Sequence, residues 1–234
     1  MLISLSGVRG SGKDTIANHL VKEYGFKALS WADSLKDALS AIFGWDRVML
    51  EGNNPQDRRK RSLPDEWWEK KLNWYNKPLY KEKHQRFTPL LAMTYVGTDM
   101  FRQYFDDNIW VNSLLKKIDN YPIKSHIVVK DTRYPNEIEA LKDKGAFFIT
   151  SLRGDIKPYS LQASEVNILY RKGLISKKER EWRLKSIANI FNIHDSEISW
   201  QSYNESVLIS NDSDIKTLHT KVDEVLKTFI NREK

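Results

Sequence analysis

Residues 7 to 15 read Gly-Val-Arg-Gly-Ser-Gly-Lys-Asp-Thr, set between a short apolar run at Leu2 to Ser6 and an amphipathic stretch from Lys13 to Tyr24. Three glycines between a strand pattern and a helix pattern let successive backbone amides turn inward, and the new helix adds its positive end to the same point. A loop of that kind closes around a phosphate. The spacing is that of a phosphate-binding loop, with the strand before it and the helix after it that the motif requires. Gly7, Gly10, Ser11 and Gly12 supply the cradle, and Lys13 is the cation expected to bridge the β and γ phosphates of a nucleoside triphosphate. One position departs from the usual pattern. Asp14 follows the lysine where a Ser or Thr commonly reaches Mg²⁺, and Thr15 is displaced by one residue, so the spacing alone leaves open which hydroxyl serves the metal.

The rest of the chain alternates. A second strand pattern covers Phe26 to Trp31, followed by a helix from Asp33 that Gly44 ends. A third strand at His126 to Lys130 leads to a helix at Asn136 to Lys144 and a fourth strand at Ala146 to Leu152. The chain closes on a strand at Ser206 to Ile209 and a helix at Asp214 to Phe229, capped by Asn211, Asp212 or Ser213. Strands separated by helices predict an α/β fold of three layers, a parallel sheet covered on both faces. Two stretches break the alternation, at about 45–89 and 154–193. They read as insertions in a single domain spanning 1–234, with a helix predicted around Asp65 to Tyr75 in the first and a helical pattern at Lys177 to Phe191 in the second. Between them the pattern predicts a helix at Pro89 to Tyr95, a break at Gly97-Thr98-Asp99, and a further helix through Arg102 and Trp110 to Ile118. In a sheet of this type ligands bind beyond the carboxyl ends of the strands, where the glycine loop, Asp131 and Arg153 all fall.

Composition narrows the partners. With 38 basic and 31 acidic residues the formal net charge is +7, which favours polyanions, whether phosphorylated small molecules or nucleic acid, or only a solubilising surface. No apolar run approaches the length of a membrane span, and the opening residues lack the pattern of a secretory signal, so a cytoplasmic location and no membrane partner are expected. The absence of Cys excludes disulfides and thiolate metal sites, and the five His are scattered along the chain.

Gly12-Lys13-Asp14-Thr15, Ala32-Asp33-Ser34-Leu35-Lys36-Asp37, Gly97-Thr98-Asp99 with Arg102 and Trp110, Asp131-Thr132-Arg133 with Asn136-Glu137, and Asn211-Asp212 occur in this order. Together they resemble the phage deoxynucleoside monophosphate kinases, within the P-loop nucleotide kinases. That resemblance implies a P-loop kinase fold in which the insertion at 45–89 is a helical lobe that receives the acceptor and the one at 154–193 is lid-like. It implies ATP and Mg²⁺ as cofactors, and transfer of the γ phosphate of ATP to a deoxynucleoside monophosphate; the Lys-X-Thr arrangement, similar to that of nucleoside monophosphate kinases such as adenylate kinase, implies Asp14 in the nucleotide site and Thr15 as a ligand of both nucleotide and metal. Related P-loop DNA kinases act on 5-hydroxymethyluracil in phage DNA. The charge and the aromatic-basic stretch from Trp45 to Pro89 keep that hydroxymethyl-bearing DNA as the alternative acceptor. The location would be the host cytoplasm for a phage-encoded chain; the oligomeric state, a dimer included, is left open.

Each remaining candidate has a plain structural alternative. Asp131 ends a strand beside the loop, suited to hold a Mg²⁺-bound water, and Arg133 can neutralise transferred charge; otherwise they form a capping pair with Asn136 and Glu137. Those two residues are assigned to substrate binding through the resemblance. Asp33 can accept a proton, bind a sugar hydroxyl or cap its helix, and Lys36 lies one turn away. Arg102 is a candidate acceptor-phosphate clamp and Arg153 a donor-phosphate clamp, since guanidinium binds phosphate bidentately, or each is a surface residue. Trp110 is placed with the acceptor. Trp67, Trp68, Trp74 and Tyr75 either stack bases or pack a core. His194-Asp195-Ser196-Glu197 resembles a short element of related kinases and receives no role.

Overall fold

The computed structural model describes residues 1–232; the last two residues of the 1–234 span lie outside them. In chain order the elements are β1 (Leu2–Ser6), α1 (Lys13–Tyr24), β2 (Lys27–Ser30), α2 (Asp33–Phe43), α3 (Arg47–Glu51), α4 (Pro55–Lys60), α5 (Glu66–Lys71), α6 (Pro78–Lys83), α7 (Pro89–Thr94), α8 (Ile109–Asp119), β3 (Ile127–Lys130), α9 (Pro135–Asp143), β4 (Phe147–Leu152), α10 (Pro158–Arg171), α11 (Lys177–Phe191), β5 (Val207–Ser210) and α12 (Ile215–Arg232). Two compact units result. The first joins Met1–Trp31 to the chain from Leu115 onward, and the second is Ala32–Leu114, wider than the 45–89 stretch that broke the sequence pattern.

The first unit is the expected α/β layer structure. Its five strands are all parallel, in the order β2-β3-β1-β4-β5. Central strands of such a sheet are buried on both faces, which is why Ile3, Leu5, Val128 and Val129 are fully enclosed. Ile16, Ala17 and Leu20 of α1 and Leu218, Val222, Leu226 and Phe229 of α12 complete that core. The register sets Ser4 opposite Val129 on one side and Phe148 on the other, so the ends of β1, β3 and β4 come out on the same rim.

The second insertion is more regular than its sequence suggests. α10 and α11 pack through Ala163 and Val166 against Leu184, Ile187 and Ala188. Only α11 was expected. α10 was hidden because Ser160 and Asn167 occupy buried positions on its inner face, which interrupts the apolar period. Asn167 Oδ1 accepts from Nε of the buried Arg180 at 2.6 Å, so the polar face is satisfied.

The second unit is helical, with a core of Leu39, Leu50, Trp45, Trp74, Phe87 and Trp110. Trp74 is buried there and Trp68 packs against it, with its indole N–H donating to the Phe43 carbonyl at 2.9 Å; Trp67 is exposed. The helix expected around residues 65–75 stops at Lys71, and Asn73 takes φ +49 before a short 3₁₀ turn at Trp74–Asn76. The break expected at Gly97-Thr98-Asp99 is absent. α7 runs directly into a π-helical segment, Tyr95–Arg102. A side chain at Gly97 would meet Leu35 Cδ2 at 2.7 Å, and the Gly97 carbonyl accepts from Trp110 Nε1 at 2.9 Å. The glycine allows close packing and frees an acceptor rather than ending the helix.

Candidate active site

β1 ends where the glycine loop begins, and the loop's shape follows from its residues. Gly7, Gly10 and Gly12 have φ +148, +82 and +103, values that side chains resist. A Cβ on Gly7 would lie 2.5 Å from Ser11 Oγ, and one on Gly12 would lie 2.3 Å from Asn211 Nδ2. The loop is therefore drawn tight by its neighbours. The Ser11 carbonyl accepts from Ser151 Oγ of β4 at 2.7 Å and from Asn211 Nδ2, just past β5, at 2.9 Å. Ser11 is fully buried, and its amide closes a turn onto the Val8 carbonyl at 3.1 Å. The amides at the start of α1 have no acceptor within the helix, by helix geometry, and α1 opens at Lys13 without a side-chain cap.

Lys13 is 7% exposed and folds back over the loop. Its Nζ donates to the carbonyls of Gly7 at 2.7 Å and Val8 at 3.0 Å, and stands 3.5 Å from Asp131 Oδ1. Burial pulls its ammonium below the ordinary lysine range, and the charge of Asp131 resists that pull. Asp14 is exposed. Thr15 is half-buried and lines a cavity of about 630 Å³ with Asn18, His19, Ile215 and His219, a set that does not include Asp131.

Asp131 follows β3 in a left-handed conformation, φ +64. Its geometry is imposed by the next residue. The buried Thr132 donates its N–H to the Leu5 carbonyl at 2.9 Å, while its hydroxyl is met by Ser4 Oγ at 2.8 Å and by Trp31 Nε1 at 3.3 Å. Ser6 Oγ donates to the Thr132 carbonyl at 3.1 Å. Two buried serines in a core strand thus fasten Asp131 and Arg133 to the rim. Asp131 Oδ2 pairs with Arg133 Nε at 2.9 Å, whereas Oδ1 is buried and receives no hydrogen bond. Although burial opposes its charge, Arg133 is held above the usual guanidinium range by Asp131 and Glu197.

The other expected residues divide between the units. In the first, Glu137 is buried and accepts from the amides of Arg133 at 2.8 Å and Tyr134 at 3.1 Å, so its carboxylate grips the backbone that carries Arg133. Asn136 Oδ1 accepts from the Glu137 amide. Arg153 is exposed and lines a cavity of about 770 Å³ that begins at Val8 and Arg9 and runs past Leu152, Tyr159 and Trp200. The late Asn211-Asp212 pair does not cap α12. Asn211 holds the loop, Asp212 accepts from the Gly154 amide at 2.6 Å, and Asp214 takes the cap by accepting from the Thr217 amide at 2.7 Å.

In the second unit, Asp33 lies in the first turn of α2 rather than at its cap, 3.2 Å from Arg47 Nη2. Arg47 also pairs with Asp37 and Glu51, and Lys36 Nζ pairs with Glu51 at 2.7 Å. Arg102 closes the π-helical segment and is half-buried, and Trp110 is buried in the core. Ser151, Thr132, Arg47 and Glu197 carry site geometry without having been singled out individually for a role in the sequence. Ser and Thr in strands look like ordinary strand residues until their partners are visible.

Among the described residues no cluster of His, Asp or Glu forms a ready metal site, and no helix is long and apolar enough to cross a membrane. Comparison with known proteins bears on the same residues. Residues 72–173 match the deoxynucleotide monophosphate kinase family, a stretch that contains Gly97, Arg102, Trp110, Asp131 and Arg133. A protein of Acanthamoeba polyphaga mimivirus, provisionally described as a deoxynucleotide monophosphate kinase, is 28% identical over 182 residues, covering 72% of this chain and 82% of its own. Solved structures with similar elements include TT1252 from Thermus thermophilus, at 16% identity, 97% coverage of both chains and a TM-score of 0.38. Dephospho-CoA kinase from Campylobacter jejuni matches at 15% identity, 97% and 96% coverage and a TM-score of 0.31. The phosphate loop, the parallel sheet and the sequence relatives agree: the chain is an enzyme of the P-loop kinase type, and its resemblance is to the deoxynucleotide monophosphate kinases.

Proposed function

We propose that the chain transfers the γ phosphate of ATP to a deoxynucleoside monophosphate, yielding ADP and a deoxynucleoside diphosphate. The observation that carries this reading is the trio Lys13, Asp131 and Arg133, fixed on one rim of the sheet beside the glycine loop. Phosphoryl transfer needs little covalent work from the protein, and chiefly needs charge placed where the transferred group becomes more anionic. Of the two expected metal ligands, Asp131 fits: its Oδ1, buried and without a hydrogen bond, would suit a hydrated Mg²⁺, whereas Thr15 lines a separate cavity that does not include Asp131. Mg²⁺ would neutralise charge shared by the β and γ phosphates. Lys13 then exchanges its loop carbonyls for phosphate oxygens, and Arg133 meets the equatorial oxygens of the moving group. Gly7, Gly10, Ser11, Gly12 and Asp14 belong to the triphosphate cradle, and Arg153 extends it along its cavity. On the second unit, Asp33, Lys36 and Arg102 belong to the acceptor site, with Trp110 supporting that unit from its core, its indole N–H on the Gly97 carbonyl, and Asn136 and Glu137 act through the backbone of Arg133.

The test offers each of the four deoxynucleoside monophosphates with γ-labelled ATP and separates the products. Label is expected in a deoxynucleoside diphosphate, with ADP formed in equal amount. ATP consumption unaffected by any mononucleotide would overturn the acceptor assignment.

A further inference from the structure

The segment after α11 reaches the phosphate site through two neighbouring side chains, Ser196 and Glu197. Glu197, in a 3₁₀ turn at Asp195–Glu197, places Oε1 2.5 Å from Arg133 Nη1, while Ser196 Oγ lies 3.4 Å from the same nitrogen. Arg133 is thereby gripped at both ends, by Asp131 at Nε and by Glu197 at Nη1. The two grips differ in what holds them. Asp131 stands beside the loop, where a hydrated cation would compete with Arg133 for its carboxylate. Glu197 is anchored from behind by the insertion. Its backbone carbonyl accepts from Gln201 Nε2 at 2.7 Å, and that same nitrogen donates to Ser160 Oγ of α10 at 3.0 Å. The Gln201 carbonyl accepts from Asn167 Nδ2 at 2.7 Å, and Arg180 of α11 donates to the Ser199 carbonyl at 2.9 Å. Ile198 is fully buried in the apolar contact of α10 with α11.

We propose that Glu197 is a positioning residue for phosphoryl transfer: it orients Arg133 toward the transferring group and ties that orientation to the seating of α10 and α11. Were Asp131 to hold a hydrated cation, Glu197 would remain as the fixed partner, leaving the rest of the guanidinium to the phosphate. A charge-assisted pair on one edge restrains a planar group better than a long flexible stem does. This inference rests on the kinase reading, since it gives Arg133 work only during transfer. It assigns a role to the His194-Asp195-Ser196-Glu197 element. His194 Nδ1 lies 2.9 Å from Ser196 Oγ, and Trp200 Nε1 donates to the Ser196 carbonyl at 3.1 Å, so the turn that presents Glu197 is itself fastened.

The test is a double-mutant cycle on Glu197→Gln and Arg133→Ala in the full chain, with Glu197→Asp as the conservative variant. An interaction made during transfer affects kcat, and misplacing a charge by about an ångström costs up to about a hundredfold. Glu197→Gln is expected to lower kcat about ten- to a hundredfold while the KM for ATP stays within about twofold, and Glu197→Asp is expected to recover part of the loss. In the Arg133→Ala background, Glu197→Gln should lower kcat by less than about twofold further. The full loss repeated in that background, or an unchanged kcat in Glu197→Gln alone, overturns the proposal. A wild-type chain that phosphorylates an acceptor other than a deoxynucleoside monophosphate fails the acceptor assignment instead, and the same cycle is then read on that acceptor.

Discussion

Lys13 carries its charge into a place where water barely reaches; beside its ion pair with Asp131 Oδ1 at 3.5 Å, its Nζ donates to two neutral carbonyls. An ammonium so placed is poised to leave them for a phosphate, because an ionised acceptor binds it more strongly than a peptide oxygen. Two outcomes follow at the scale of this residue. Lys13→Met is expected to lower kcat about a hundred- to a thousandfold, measured by ADP release. The pH dependence has a definite sign. Burial lowers the pKa of Lys13 from the usual 10.5, so its positive form is lost at a lower pH than that of a surface lysine. The profile of kcat/KM for ATP, which reports the free enzyme, should fall on the alkaline side before pH 10.5, and Lys13→Arg should displace that limb upward. At this scale the sequence was most informative where chemistry depends on the backbone. Gly7, Gly10 and Gly12 could be read because positive φ and close approach admit almost no other residue. Thr132 could not, because a buried hydroxyl bonded to Ser4 has the same local pattern as one facing water.

Among the elements, α5 shows how a charged group can be part of a core. Glu69 has no exposed surface, yet it accepts two hydrogen bonds from Arg86, one from the Phe87 amide and one from the Tyr75 hydroxyl. The Arg86 guanidinium, together with those donors, lowers its pKa from 4.5 to about 2. A carboxylate depressed in the folded state contributes stability above its unfolded pKa and loses it as pH falls through the folded one. The second unit should therefore lose stability progressively between about pH 5 and about pH 2. Glu69→Gln should flatten that part of the curve and cost about 2 kcal/mol at neutral pH, as measured by denaturant unfolding at a series of pH values. The strands were legible as elements because parallel strands buried on both faces leave uninterrupted apolar runs, as in Ile127 to Val129. α10 was not legible, since its inner face carries Ser160 and Asn167. The π-helical segment was misread as a break, since Gly97 usually signals an end and here serves Leu35 and Trp110.

For the whole molecule, the consequence of a phosphate loop built into the sheet is linkage between nucleotide and fold. A ligand that binds only the folded chain stabilises it by about 2.7 kcal/mol at a hundred times its Kd. ATP at that concentration should raise the melting temperature by about 5 to 11 °C, and Lys13→Met should abolish most of the shift while leaving the unliganded transition in place. Calorimetry with and without ATP reads both. The order β2-β3-β1-β4-β5 could not be read from the sequence, which carries strand existence but not strand neighbours; pairing is decided by crossovers such as the one from Trp31 to β3, which takes in all of Ala32–Leu114.

The Ser11 carbonyl, tethered by Ser151 and Asn211, bears on how a nucleotide is captured. Those tethers lie in the sheet's own framework and exist before any ligand arrives, so the cradle is a finished mould rather than a strap that must wrap its cargo. Arrival then proceeds as simple docking, with a rate that grows in proportion to nucleotide concentration and shows no slow ordering stage at the loop.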